Sequence, residues 1–236
     1  MRRLLLVSTS TVHGTGYLEH CAAQARQLFA GRRRIGFVPY ALHDRDGYAR
    51  RAAEVFAAWD LDLVSVHSVE SPAEFVASVE GLFIGGGNTF RLVRDLHDQA
   101  LIGPIRQRVA EGMPYMGTSA GSNVAAPTLC TTNDMPIVEP PSFECLALVP
   151  FQINPHYLDP DPGSSHMGET RDQRLAEYLE ENTRAVVALR EGTMLDVEGD
   201  RMRLVGLPGG KLFSRGEAAV EVAAGADLSA LLRPAS

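Results

Sequence analysis

The sequence predicts a three-layer αβα protein on a mostly parallel central sheet, with β-rich structure toward the C-terminus. Up to Ala126, short apolar runs alternate with amphipathic stretches, the pattern of βα units. Beyond Ala126 that rhythm gives way to a proline-punctuated stretch and then to short strand-like passages. Two glycine-rich turns, Gly85 to Gly87 and Gly117 to Gly121, each follow an apolar run and precede a helix candidate, as turns at the carboxyl ends of parallel strands do. The 236 residues, 45% hydrophobic and 22% charged, are read as a single domain able to bury a substantial core.

In chain order, strands are expected at Leu4 to Ser8, Ile35 to Tyr40, Leu63 to His67, Leu82 to Gly85 and Pro114 to Gly117. Helices are expected at Tyr17 to Ala30, Arg45 to Trp59, Pro72 to Glu80, and Thr89 to Glu111 with a break at Gly103-Pro104. Ser71-Pro72-Ala73-Glu74 reads as a capping box with proline in the first turn. Prolines from Pro127 to Pro162 then leave only short segments such as Leu148 to Asn154 between loops. A helix from about Glu169 to Glu181 leads to hairpin-like passages at Ala185 to Asp196 and Met202 to Phe213, and to an alternating end, Ala218 to Val222.

Charge and composition exclude several function classes. A formal charge of -7 and a pI near 5.5 argue against a nucleic-acid partner, and Arg32-Arg33-Arg34 reads as a solvated run at the start of a strand. The apolar stretch behind Met1-Arg2-Arg3 stops at Ser8, too short for a signal peptide, and no run approaches a membrane span of about 20 residues. Cys21, Cys130 and Cys145 are odd in number and lack metal-like spacing, which fits a reducing compartment. A cytoplasmic protein without metal or cofactor is the expectation.

Gly117-Thr118-Ser119-Ala120-Gly121 matches the nucleophile elbow G-x-S-x-G, where small neighbours let a sharp strand-to-helix turn present a serine hydroxyl. The alternative is a glycine-rich turn with no catalytic task. Gly85-Gly86-Gly87-Asn88-Thr89 lacks the Lys-Ser/Thr ending of a phosphate loop and the G-x-G-x-x-G spacing of a dinucleotide site. Side by side, the two turns could form the halves of one oxyanion hole, from the N–H groups of Gly87 and Ala120. A serine nucleophile needs a base. His20 and His97 fall within expected helices, His13, His43 and His166 in loops, and His67 at a strand end, which leaves His156 in Gln152-Ile153-Asn154-Pro155-His156. For the group that orients the base, Asp134 and Glu191 both lie in turns late in the chain, and the sequence does not rank them.

These segments, in order, are those of a known family. With Leu4 to Ser8, Tyr17-Leu18-Glu19-His20, Thr131 to Val138 and Gly168-Glu169-Thr170-Arg171, the chain resembles the S51 serine peptidases of the peptidase E type, aspartyl dipeptidases, over nearly its whole length. The resemblance implies a flavodoxin-like or class I glutamine amidotransferase-like αβα fold. It makes Ser119 the nucleophile and His156 the general base and acid. Glu191 matches the family's acidic triad residue, and Asp134 matches an aspartate also assigned there. The implied reaction cleaves the bond after an N-terminal aspartate through an acyl-enzyme. Arg171 is the candidate for reading the acidic side chain, against a surface role pairing with Glu169 or Asp172. Asn88, Asp134 and Glu169 are candidate acceptors for the substrate amine. Two departures stand out: Arg190 replaces the proline before the acid, and the loop Tyr157 to Met167 differs in sequence and length.

For partners, the reading gives a small acidic dipeptide, no nucleic acid and no membrane, and leaves a homodimer open. The rivals kept are a cyanophycinase-like or broader-specificity aminopeptidase on the same scaffold and a non-catalytic small-molecule binding module. A glutamine amidotransferase-like activity fits less well, because its nucleophile is cysteine.

Overall fold

A computed structural model describes residues 1–161, 163 and 168–233. His166 and Met167, at the end of the loop singled out above, lie outside the described residues. The elements in chain order are β1 (Arg3–Val7), α1 (Ala22–Leu28), β2 (Arg34–Val38), α2 (Arg45–Ala57), β3 (Asp62–Ser65), α3 (Pro72–Ser78), β4 (Gly81–Ile84), α4 (Thr89–Asp98), α5 (Ile102–Ala110), β5 (Tyr115–Thr118) and α6 (Ala120–Asn123). They continue with β6 (Gln152–Asn154), α7 (Arg171–Glu181), β7 (Val186–Leu189), β8 (Met194–Glu198), β9 (Arg201–Val205), β10 (Gly210–Phe213) and β11 (Val220–Val222).

A seven-stranded sheet runs β3-β2-β4-β5-β1-β8-β9. Its first five strands are parallel, while β8 pairs antiparallel with β1 and β9 antiparallel with β8. Alternation along the parallel strands sends successive side chains to opposite faces. Leu5, Val7, Phe37, Phe83 and Met116 pack with Ala25 and Leu28 of α1 and Ala52 and Phe56 of α2. Leu4, Leu6, Leu82, Ile84 and Tyr115 pack with Phe75 of α3, Leu92 and Leu96 of α4, and Ile105 and Val109 of α5. Both faces of the sheet are therefore covered, as the continuous apolar runs require.

A second sheet runs β11-β10-β7-β6. Ile153, Val187 and Leu189 from one of its faces join the core of the large sheet. Val186, Ala188 and Phe213 from the other pack on Leu175 and Leu179 of α7. No helix among the described residues is long and apolar enough to cross a membrane. Among them there is also no group of three or more His, Cys, Asp or Glu placed to hold a metal ion.

Several boundaries differ from the sequence reading, each for a local reason. Helix α1 begins at Ala22 rather than Tyr17, because Leu18 takes φ +60 and gives its N–H to the Ser10 carbonyl at 2.7 Å. The long helix breaks at Ala100, with φ +51, rather than at Gly103-Pro104. Pro104 lies in the first turn of α5, where a missing N–H leaves no intrahelical bond unmade. The Ser71 side chain makes no capping bond. The capping box forms instead at Thr170 and Gln173, the same Ser/Thr-x-x-Glu/Gln spacing. The two expected hairpins are also redrawn. Strands β7 and β8 belong to different sheets, and the hairpins are β8–β9 and β10–β11.

Candidate active site

The strand-to-helix turn at Ser119 is built by close backbone packing. Ser119 takes φ 52 and ψ -112, a conformation that costs a non-glycine residue energy and persists only where the surroundings impose it. A Cβ at Gly117 would stand 2.4 Å from the Gly121 carbonyl oxygen, and one at Gly121 would stand 2.1 Å from the Ile84 carbonyl oxygen. Only glycine allows these approaches, and the second brings α6 against the end of β4. Around the turn, Ser119 N–H donates to the Val7 carbonyl at 3.0 Å. The Ser122 hydroxyl reaches the Val7 and Gly117 carbonyls at 2.7 and 2.8 Å, and the Tyr115 hydroxyl donates to the Gly121 carbonyl at 2.6 Å.

This packing sets the two glycine turns side by side. A Cβ at Gly86 would lie 2.9 Å from Ser119 Cβ. Gly87 has φ +133, and a Cβ there would meet the Ala41 carbonyl oxygen at 2.7 Å. The N–H groups of Gly87 and Ala120 are not spent on backbone carbonyls among the described residues. Ala120 opens α6, where helix geometry leaves the first N–H groups unpaired.

The imidazole arrives from the second sheet. Pro155 comes directly after β6, and His156 follows with φ +53. The His156 N–H donates to the Ser8 hydroxyl at 3.0 Å, and that hydroxyl donates to the Leu189 carbonyl at 2.8 Å. His156 Nε2 lies 2.9 Å from Ser119 Oγ, and Nδ1 lies 2.8 Å from Glu191 Oε1. An ionised carboxylate can only accept, so Nδ1 carries the proton and Nε2 is left to accept from the serine hydroxyl. The chain thus holds Ser119, His156 and Glu191 in series, with Ser8 supporting the base.

Asp134, the other acid that the sequence could not rank, points elsewhere. Its Oδ2 accepts from the Thr89 N–H and hydroxyl, both at 2.7 Å, and from the Thr132 hydroxyl at 3.2 Å. The carboxylate therefore anchors the first turn of α4, where a negative group is favoured, instead of orienting His156. Asn88 is likewise occupied. It caps α4 by accepting from the Arg91 N–H at 3.1 Å and donates to the Met135 carbonyl at 2.9 Å. Glu169 is exposed and pairs at 3.5 Å with Arg174.

Arg171 opens α7 beside a groove lined by Leu158, Asp159, Glu169 and Arg174. The acids expected to neutralise it have other partners: Glu169 pairs with Arg174, while Asp172 contacts Tyr157 and Lys211. Burial, and then the neighbouring Arg174, lower the Arg171 guanidinium below its ordinary value, with Asp134 opposing. A half-buried cation next to a like charge gains from an added carboxylate.

Two other histidines have partners elsewhere. His97 rests on the Glu144 carbonyl at 2.8 Å. His67 lies between Ser65 and Asp46 at 2.6 and 3.0 Å, but that serine is buried.

A serine, an imidazole and a carboxylate joined in series at the carboxyl edge of a parallel sheet define a hydrolase of the serine type. Comparison with known proteins narrows the class. The model of peptidase family S51 matches residues 4–205. A protein named peptidase E from Streptomyces coelicolor is 54% identical, over 97% of this chain and 94% of its own length. A Drosophila melanogaster protein named "probable alpha-aspartyl dipeptidase" is 46% identical, over 98% of each chain. The crystal structure of a peptidase from an acI-B1 actinobacterium superposes with a TM-score of 0.70 at 16% identity, covering 97% of this chain and 96% of that one. The chain belongs to peptidase family S51.

Proposed function

We propose that this protein hydrolyses the peptide bond after an N-terminal aspartate, acting on Asp-X dipeptides through an acyl-enzyme. The observation that carries the reading is the continuous series from Ser119 Oγ through His156 to Glu191, set beside the Gly86-Gly87 turn. His156 takes the hydroxyl proton as Ser119 attacks the carbonyl carbon, then returns it to the leaving amine. The negative oxygen that forms is met by the N–H groups of Gly87 and Ala120. Water, activated by the same imidazole, releases the aspartyl group and regenerates the serine. Arg171 receives the carboxylate of the aspartyl side chain, which would offset both its desolvation and the Arg174 charge. The name of the Drosophila relative, "probable alpha-aspartyl dipeptidase", agrees with this substrate class.

The test is hydrolysis of Asp-Leu by the purified protein without added metal. Ser119→Ala should abolish it; retained activity would rule out Ser119 as nucleophile. Arg171→Met should erase the preference for Asp over Asn at the first position. Equal losses on both substrates would assign that arginine to structure.

A further inference from the structure

Beside the catalytic residues lies a dense charged cluster that the reaction does not consume. Arg190, at the end of β7, holds both oxygens of Asp159, with Nε and Nη2 each at 2.6 Å. The same guanidinium holds both oxygens of Glu221, with Nη1 and Nη2 each at 3.0 Å, and touches the Gly210 carbonyl at 3.3 Å. Its carbon lies 5.6 Å from the centre of the Tyr157 ring. Lys211 reinforces the cluster, reaching Tyr157 Oη at 2.9 Å, Asp172 at 3.3 Å and Asp159 at 3.4 Å. The two cations are sheltered, with side chains 13% and 14% exposed, while Asp159 and Glu221 sit over them at 47% and 63%. A guanidinium gripped bidentately on two sides has a single available geometry, unlike an ordinary surface ion pair.

The position of this cluster in the chain matters more than its size. Asp159 follows His156 by three residues, and Arg190 immediately precedes Glu191. The Arg190–Asp159 pair therefore runs alongside the His156–Glu191 contact and joins the same two segments. Arg190 also closes the turn that carries the acid. Its carbonyl accepts from the Thr193 N–H at 3.1 Å and from the Thr193 hydroxyl at 2.6 Å, with Gly192 at φ +88 between them. Glu191 is 48% exposed, and His156 is its hydrogen-bond partner among the described residues. A long exposed side chain aimed at one target depends on where its backbone is held.

We infer that Arg190 is a positioning residue of the active site: its guanidinium braces the His156 segment against the Glu191 turn and so sets the carboxylate on the imidazole. The inference rests on the reading of Ser119, His156 and Glu191 given above. Arg190 touches no reacting atom and acts only through Glu191. Its removal should therefore cost turnover when Glu191 can orient His156 and almost nothing when it cannot.

A double-mutant cycle reads this directly, with wild type, R190Q, E191Q and the double variant compared. Two rates are measured: kcat and KM for Asp-Leu, and the rate of inactivation by a fluorophosphonate, which reports Ser119 reactivity whatever the peptide specificity. R190Q should lower both kcat and the inactivation rate roughly 10- to 100-fold, the scale of a small misplacement, with KM little changed. In the E191Q background the same substitution should change either rate by no more than about twofold, the scatter within which an absent effect is read. Equal losses in both backgrounds, or no loss in wild type, would overturn the proposal. A silent E191Q would overturn the triad reading and this inference together. A non-additive inactivation cycle without Asp-Leu hydrolysis would uphold the inference and overturn the substrate assignment alone. Should R190Q fold poorly, Asp159→Asn cuts the brace from its other end and must show the same non-additivity.

Discussion

The two ends of the proposed triad reach the same imidazole but are held by different means. Ser119 is fixed from below by main chain: Gly117 against Gly121, Gly121 against Ile84, and Gly86 against Ser119 itself, all inside the buried layer between sheet and helices. Glu191 projects, half exposed, from the turn after β7, and the residue before it, Arg190, is gripped by Glu221 of β11 and by Asp159 of the loop after β6, with Lys211 of β10 and Asp172 of α7 alongside. One end is set by the space glycines leave, the other by charges that must find one another. The nucleophile end should therefore tolerate almost no change in shape, and the acid end almost no change in charge pairing.

At the acid end the largest effect should come from Glu191→Gln, which keeps the shape and removes the carboxylate. A loss in kcat on the order of 10⁴-fold is expected, as for the orienting acid of other serine triads, with an unchanged melting temperature. Asp134→Asn should leave kcat within about tenfold, since it weakens bonds to Thr89 and Thr132 instead and costs on the order of 1–2 kcal/mol in urea unfolding. If Asp134→Asn proved the more damaging to turnover, the ranking of the two acids would reverse.

At the other end the expected damage is to folding. Gly121→Ala drives a methyl group into the Ile84 carbonyl at 2.1 Å, a backbone contact that cannot rotate away. A cost of about 3 kcal/mol or more, at or beyond the top of the usual overpacking range, should appear in urea unfolding. Gly86→Ala is milder in stability because its clash, at 2.9 Å, is with Ser119 Cβ. Displacing the nucleophile or its oxyanion donors by that route should lower kcat about 10²- to 10³-fold. An active, stable Gly121→Ala protein would contradict the idea that main-chain contact fixes this end.

The smallest expected effect on stability is electrostatic. The hydrogen bonds from Arg190, more than any other cause, hold the Asp159 carboxyl below its ordinary value. A carboxyl lowered in the folded state contributes stability that is present at neutral pH and is lost as the pH falls through that lowered value. After allowance for solvent screening the pair is worth at most about 1 kcal/mol. Asp159→Asn should therefore lower the melting temperature slightly at neutral pH, and the difference should shrink below about pH 3.9, the ordinary aspartate value. A difference that persists unchanged into acid would show that Asp159 acts through packing instead.

The same contrast explains what could be read from the chain alone. Ser119, Gly87 and His156 stand in short patterns whose spacing carries the geometry: a strand, a glycine turn, a helix, or a proline before the base. Glu191 and Asp134 have no such local signature. Which one meets His156 is decided when the Tyr157 N–H pairs with the Leu189 carbonyl and brings two segments more than thirty residues apart into contact. Arg190, Asp159, Lys211 and Glu221 read as scattered surface charges until β10 and β7 pair. The parallel sheet is legible because its strands carry continuous apolar runs such as Leu4 to Val7 and Leu82 to Ile84. The hairpins after α7 are not legible in the sequence because alternation reveals a strand's faces but not its partner. Pro104 misled for a related reason, since a proline signals a break only when its place within the helix is known.

Mapping where a fluorophosphonate attaches tests the central claim most directly, because it reports the reactive atom without assuming a substrate. Mass spectrometry should find a single adduct, on Ser119, whose formation is slowed by excess Asp-Leu and abolished in His156→Ala. An adduct on another residue, or continued Asp-Leu hydrolysis by fully modified protein, would contradict the account.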